Sequence, residues 1–149
     1  MSETKTRADL DYALNTVVGY RLKRAYMVMK DDYAADPNLA ELTTRQFAVL
    51  SLTGGESGIS QSDIARKLGI ERSGMVKLID QLEGMGYLDR VANPEDRRVY
   101  RLHLTEAGYH CLANHHEAVK QQENRVLASL NEQERKLLLT LLNRIQDQA

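Results

Sequence analysis

A mostly α fold carrying one small β-hairpin is the class this sequence predicts. Three patterns predict it. Apolar residues at helical spacing dominate both ends of the chain, two short helical segments meet at a glycine between residues 60 and 84, and the period drops to two only between Tyr87 and Leu104. Together they outline a winged helix-turn-helix core over residues 43–104, flanked by long helices over 9–35 and 107–149. At 149 residues and 42% hydrophobic content the chain suits one domain, 1–149.

Each element has its own signal. Asp9 to Tyr33 reads as one long helix, because Leu10, Leu14, Val18, Leu22, Ala25, Met29 and Tyr33 recur at spacings of three and four. It stops near Ala35-Asp36-Pro37, where proline disfavours helix in the residue before it. Thr43 with Gln46 three residues on is a capping-box start for a second helix, which Thr53-Gly54-Gly55 ends. Ser60 with Asp63 opens a third, with Ile64, Ala65 and Leu68 facing inward and Gly69 supplying a left-handed exit. A fourth runs from about Arg72 to Gly84 and buries Met75, Leu78, Ile79 and Leu82. Two short helices around such a turn make a helix-turn-helix.

Beyond Gly86 the spacing changes. Tyr87 to Ala92 and Val99 to Leu104 alternate β-branched or aromatic residues with polar ones, and Asn93-Pro94-Glu95-Asp96 between them is turn chemistry. That is a hairpin, the wing. Thr105-Glu106-Ala107-Gly108 then opens a helix to about Ser129. Asn131 with Glu134 opens the last, whose apolar residues are Leu137, Leu138, Leu141, Leu142 and Ile145.

Composition excludes several classes. No run of about 18 apolar residues exists, and Met1 to Asp11 is polar, so neither a membrane span nor a signal peptide is expected. A lone cysteine, Cys111, forms no internal disulfide and suits a reducing cytoplasm. Gly-x-Ser-x-Gly, a phosphate-binding glycine loop and His-Glu-x-x-His are all missing, so neither an enzyme nor a cofactor is expected. The formal charge is −1, and residues 60–101 hold eight basic side chains against seven acidic ones. Charge alone does not point to nucleic acid; the pattern does.

A helix placed just after a tight turn can enter a DNA major groove and present its first turns to base edges. Here those turns carry Arg72, Ser73 and Lys77, with Gly74 permitting close approach. Gln61 and Ser62, opening the preceding helix, are placed to meet the phosphate backbone. Arg97, Arg98 and Arg101 crowd the hairpin. Such mutual repulsion is costly, and an arginine reaching into a narrow, negative minor groove accounts for it. Asp96 is placed to hold the Arg98 guanidinium in a charge-assisted pair. The competing reading is a solvated polar helix face and a solvated hairpin.

From Ile59 to Leu104 the sequence resembles the MarR family of bacterial regulators. The resemblance rests on Leu42-Thr43 with Gln46-Phe47 and Val49-Leu50, on Ser60 with Ile64-Ala65 and Leu68, and on Leu78-Ile79-Asp80-Gln81-Leu82-Glu83. Gly86-Tyr87-Leu88, the Asp96-Arg97-Arg98 wing and Leu104-Thr105-Glu106-Ala107-Gly108 complete it. It implies a triangular homodimer with one recognition helix in each half-site of a palindromic double-stranded operator. It also implies Asp96 as the orienting acid and Arg98 as the minor-groove probe. Glu71 stands where relatives commonly carry serine or aspartate, and neither Gly74 nor Val76 is the threonine usual there.

The terminal helices supply more apolar length than a winged core can cover, so Val17, Leu22, Leu130, Leu138 and Leu142 are expected to meet a second copy. The resemblance implies a small-molecule effector, an aromatic acid or a derivative of one, bound between the dimerisation helices and the winged core, with the first helix contributing. Tyr12, Tyr20, Arg21, Arg24 and Tyr26 are its candidates there. Alternatives from other classes are a metal or redox sensor built on Cys111 with His103, His110, His115 and His116, and a winged-helix protein-interaction module without DNA.

Overall fold

The computed structural model describes residues 13–147. In chain order the elements are α1 (Val18–Ala35), a 3-10 turn at Pro37–Leu39, α2 (Thr44–Gly55), β1 (Ile59–Ser60), α3 (Gln61–Leu68) and α4 (Arg72–Gly84). β2 (Leu88–Ala92), β3 (Tyr100–Leu104), α5 (Glu106–Val126) and α6 (Glu132–Gln146) follow. The three strands form one antiparallel sheet in the order β1-β3-β2, with Ile59 opposite Leu102 and Arg90 opposite Leu102 on the other side. No helix among the described residues is long and apolar enough to cross a membrane.

Residues 37–120 make one compact unit. Its core is Leu42, Val49, Leu50, Ile59, Ile64, Met75, Ile79, Leu82, Leu88 and Leu102, all shut off from solvent. Three helices and three strands thus meet on one apolar centre, which fixes the helix-turn-helix against the root of the wing. The Thr43–Gln46 capping box forms as its spacing predicts, Thr43 accepting from the Gln46 amide and Gln46 from the Thr43 amide.

The second unit comprises, among the described residues, 13–36 and 121–147. Polar ties hold its described part: Gln122 Nε2 donates to the Met29 carbonyl at 3.0 Å, and Arg125 pairs with Asp32 at 2.9 Å and Asp36 at 2.5 Å. Arg135 donates to Asn124 Oδ1 and to the Leu127 and Leu130 carbonyls, tying α6 to the turn before it. No residue of α1 or α6 is buried.

Three boundaries differ from the sequence reading. The first helix is not continuous: residues 13–15 are helical, Val17 is extended (φ −82°, ψ 114°), and α1 starts at Val18. Thr16-Val17-Val18 is a run of β-branched residues, and the Thr16 hydroxyl donates to the Ala13 carbonyl at 2.7 Å. The predicted start at Asp9, with Leu10, lies outside the described residues. Ile59–Ser60 pairs as a strand before its serine caps α3, a two-residue element too short to show alternation. Finally, α5 ends at Val126 and not Ser129, with Leu130 N bonded to Leu127 O.

Candidate nucleic-acid interface

The site is built on the α3–α4 turn. Ser60 Oγ accepts from the Asp63 amide at 3.1 Å and donates to its carboxylate at 2.7 Å. That hydroxyl bond, aided by Arg66 at 2.5 Å, holds the Asp63 carboxyl below its usual range although burial opposes it. Gly69 exits α3 in the left-handed conformation (φ 62°), where a side chain would be strained, and Ile70 N returns to Ala65 O. The chain therefore turns at once into α4. Met75, Ile79 and Leu82 sink into the core, which leaves Arg72, Ser73 and Lys77 outward. Glu71 precedes α4 without any side-chain cap.

Gly74 stands between them. A Cβ there meets only Ile70 Cγ2, at 3.4 Å, so packing does not demand glycine at this point of the exposed face.

At the wing tip Asn93 N donates to Val99 O at 2.8 Å, and Val99 N to Asp96 O at 3.0 Å. Asp96 Oδ1 accepts from the Arg98 backbone amide at 3.0 Å. This corrects the expected pairing: the carboxylate binds the amide two residues on, as turn aspartates do, and not the guanidinium. Asp96 thus shapes the tip. Among the described residues no acidic side chain pairs with Arg72, Arg97 or Arg98.

Arg101 is placed differently from its neighbours. It lies within β3, half-buried, and donates from Nη1 to the Gly58 carbonyl at 3.1 Å. Its cross-strand partner is Ser60, so it secures the root of the sheet and not the tip.

Between α3, α4 and the wing runs a cleft of about 380 Å³. It brings Gln61, Ser62, Arg72 and Arg98 together around Val76 and Tyr100. Ser73, Lys77, Asp96 and Arg97 lie outside its lining. Arg90 also lines it and was missed by sequence reasoning. Its guanidinium bonds Asp80 and also Glu83, the latter from Nε at 3.1 Å and Nη2 at 3.0 Å. Two signals pointed to it: Asp80 and Glu83 share a helix face at a spacing of three, and Arg90 shares a strand face with buried Leu88.

Of the effector candidates, Tyr12 lies outside the described residues. Arg21 and Arg24 line an open groove of about 580 Å³ with Val18, Leu22 and Val28; Tyr20 and Tyr26 do not. Cys111 is buried, and that burial pushes its thiol up, away from the reactive thiolate. Beside it Tyr87 donates to Glu41, a bond that also raises the phenol. His115 is buried against the Phe47 ring, with centroids 4.8 Å apart. Among the described residues no three His, Cys, Asp or Glu side chains are grouped to hold a metal ion.

Comparison with known proteins accords with this geometry. The sequence profile of the MarR family matches residues 40–99. A protein of Thauera aromatica named for transcriptional regulation of the hcr operon is 33% identical over 129 residues, 86% of this chain and 78% of that one. The HTH-type transcriptional regulator PecS of Dickeya dadantii is 30% identical over 145 residues, 94% of this chain and 86% of its own. Among solved structures, the transcriptional repressor CouR bound to a 23-mer DNA duplex superposes with a TM-score of 0.84 at 36% identity, covering 97% of this chain and 99% of CouR. CouR bound to p-coumaroyl-CoA gives 0.77 at 34% identity over 89% and 94%. The chain belongs to the MarR family of winged-helix, DNA-binding transcriptional regulators.

Proposed function

We propose that this protein is a homodimeric repressor that holds a palindromic operator through the cleft face and leaves it when an aromatic acid, or a thioester of one, binds. One observation carries the DNA-binding face: Arg72 and Arg98, neither with an acidic partner among the described residues, flank one cleft on a chain of net charge −1. Free guanidiniums on a recognition helix and a wing suit base edges and a minor groove respectively. Gln61, Ser62, Ser73 and Lys77 extend the contact to neighbouring phosphates, and Arg97 does so from the wing.

The dimer reading rests on uncovered apolar surface. Val17 just before α1, Val18 and Leu22 on it, and Leu137, Leu141 and Ile145 on α6, are each more than a third exposed. Leu138 and Leu142, expected at the interface, are half-buried, so the free stripe is turned slightly from the one the sequence suggests. The ligand reading rests on CouR, seen both with DNA and with p-coumaroyl-CoA. Arg21 and Arg24, set among apolar residues of the α1 groove, offer cations to an anionic ligand.

Selection of fragments from the organism's own genomic DNA by the purified protein supplies the operator. Gel shifts on that fragment then take p-coumaroyl-CoA, free aromatic acids, zinc and peroxide in parallel. An aromatic acid or thioester is expected to weaken binding about 5–150-fold, the range of ordinary allosteric coupling. A protein that enriches no fragment contradicts the regulator reading. Release by zinc, or by peroxide only when Cys111 is present and not in Cys111→Ser, replaces the ligand reading with a sensor of metal or oxidant.

A further inference from the structure

We infer that Arg90 is a positioning residue, a strut that sets the wing's angle to the recognition helix while touching no DNA itself. The inference rests on the DNA-binding face proposed above. Strand β2 carries Leu88 and Arg90 on the same face, since side chains alternate along a strand. Leu88 drops into the core and is fully buried. Arg90, two residues further along β2, bonds Asp80 and Glu83 on α4.

Those acids lie three residues apart on one helix face, so a single planar guanidinium can reach both. The Arg90 side chain is only 20% exposed, against 56% and 43% for its partners. It is therefore the covered, fixed centre of the cluster.

Charge separates Arg90 from the other two arginines of the cleft. Arg72 and Arg98 bring positive charge without acidic partners among the described residues, whereas Arg90 brings one positive charge to two carboxylates. Its single positive charge is outnumbered by those two carboxylates, so it brings no net positive charge to a phosphate. What it does offer is geometry, because β2 and β3 support the tip that carries Arg98, and Arg90 bonds β2 to the helix that carries Arg72. A lysine, with a point charge in place of the fork, cannot hold both acids in this way.

This account makes a prediction opposite in sign to simple electrostatics. Asp80→Asn with Glu83→Gln removes two negative charges from the recognition helix, which on charge alone tightens DNA binding. A strut robbed of its anchors weakens it, by about tenfold. The measurement is fluorescence anisotropy on the selected genomic fragment, with the full chain, at a temperature well below each variant's own melting transition. Arg98→Gln is measured in both backgrounds. It is expected to cost about 100-fold in the wild type but no more than about fivefold in the Asp80→Asn/Glu83→Gln protein, where the wing no longer places it. Arg90→Lys, which keeps the charge, is expected to fall between wild type and the double variant.

Equal or tighter binding by Asp80→Asn/Glu83→Gln, with Arg98→Gln still costly, overturns the strut alone. An Arg98→Gln protein that binds as well as wild type overturns the proposed face, and the strut with it.

Discussion

His115 is buried, with its ring against that of Phe47. Burial lowers its pKa from 6.5, with Glu41 opposing that shift and His116 adding to it. The unfolded chain therefore takes up this proton first as the solution is acidified. Stability conferred by His115 is complete above about pH 6.5 and falls as pH drops through the window between that value and the lower folded one. Melting temperature is expected to decline from pH 7 to 5.5, and His115→Gln to flatten the decline. Parallel curves for the two proteins contradict the assignment. Asp63 titrates lower still and leaves this window clear. At the same scale, the wing arginines were legible because turn residues bracket them. Arg101 was misplaced, since nothing in its spacing reveals that Gly58's carbonyl lies across the sheet. Arg90 was overlooked for a related reason: its role exists only once a strand face meets a helix face.

Elements were legible wherever a cap announces them. Thr43 with Gln46, Ser60 with Asp63 and Asn131 with Glu134 each form the bonds their spacing implies. The break at Thr16-Val17 escaped notice because apolar periodicity continued through it while local β-branching opposed the helix. One motif found by resemblance acquires a physical reason here. Thr105 donates from its hydroxyl to the Gly86 carbonyl at 2.6 Å and from its amide to Tyr87 O at 3.1 Å, and it accepts from Gly108 N. This draws α5 so close to Tyr87 that a Cβ on residue 108 falls 1.9 Å from that carbonyl oxygen. Gly108→Ala is thus expected to destabilise by about 3 kcal/mol, an overpacking cost against backbone. Gly84→Ala, with nothing within 4 Å of its Cβ, is expected to be neutral or stabilising. Equal denaturation midpoints for the two variants contradict the close approach.

Taken whole, the molecule shows why net charge was a poor guide. Several of its acids are paired locally: Asp63 with Arg66, Asp80 and Glu83 with Arg90, Asp32 and Asp36 with Arg125. That leaves Arg72, Arg97 and Arg98 without acidic partners among the described residues, on the helix and wing that flank the cleft, although the chain totals −1. The order of elements could be read from periodicity and caps, whereas this distribution of charge needed the three-dimensional pairing. The most direct test is Arg98→Glu, with operator affinity and thermal melting measured on the same preparation. The tip residue is exposed and outside the core, so melting should stay within a few degrees of wild type, while affinity falls at least about 100-fold through a lost minor-groove contact and an added anion. A folded Arg98→Glu protein that binds its operator within about threefold of wild type contradicts the account.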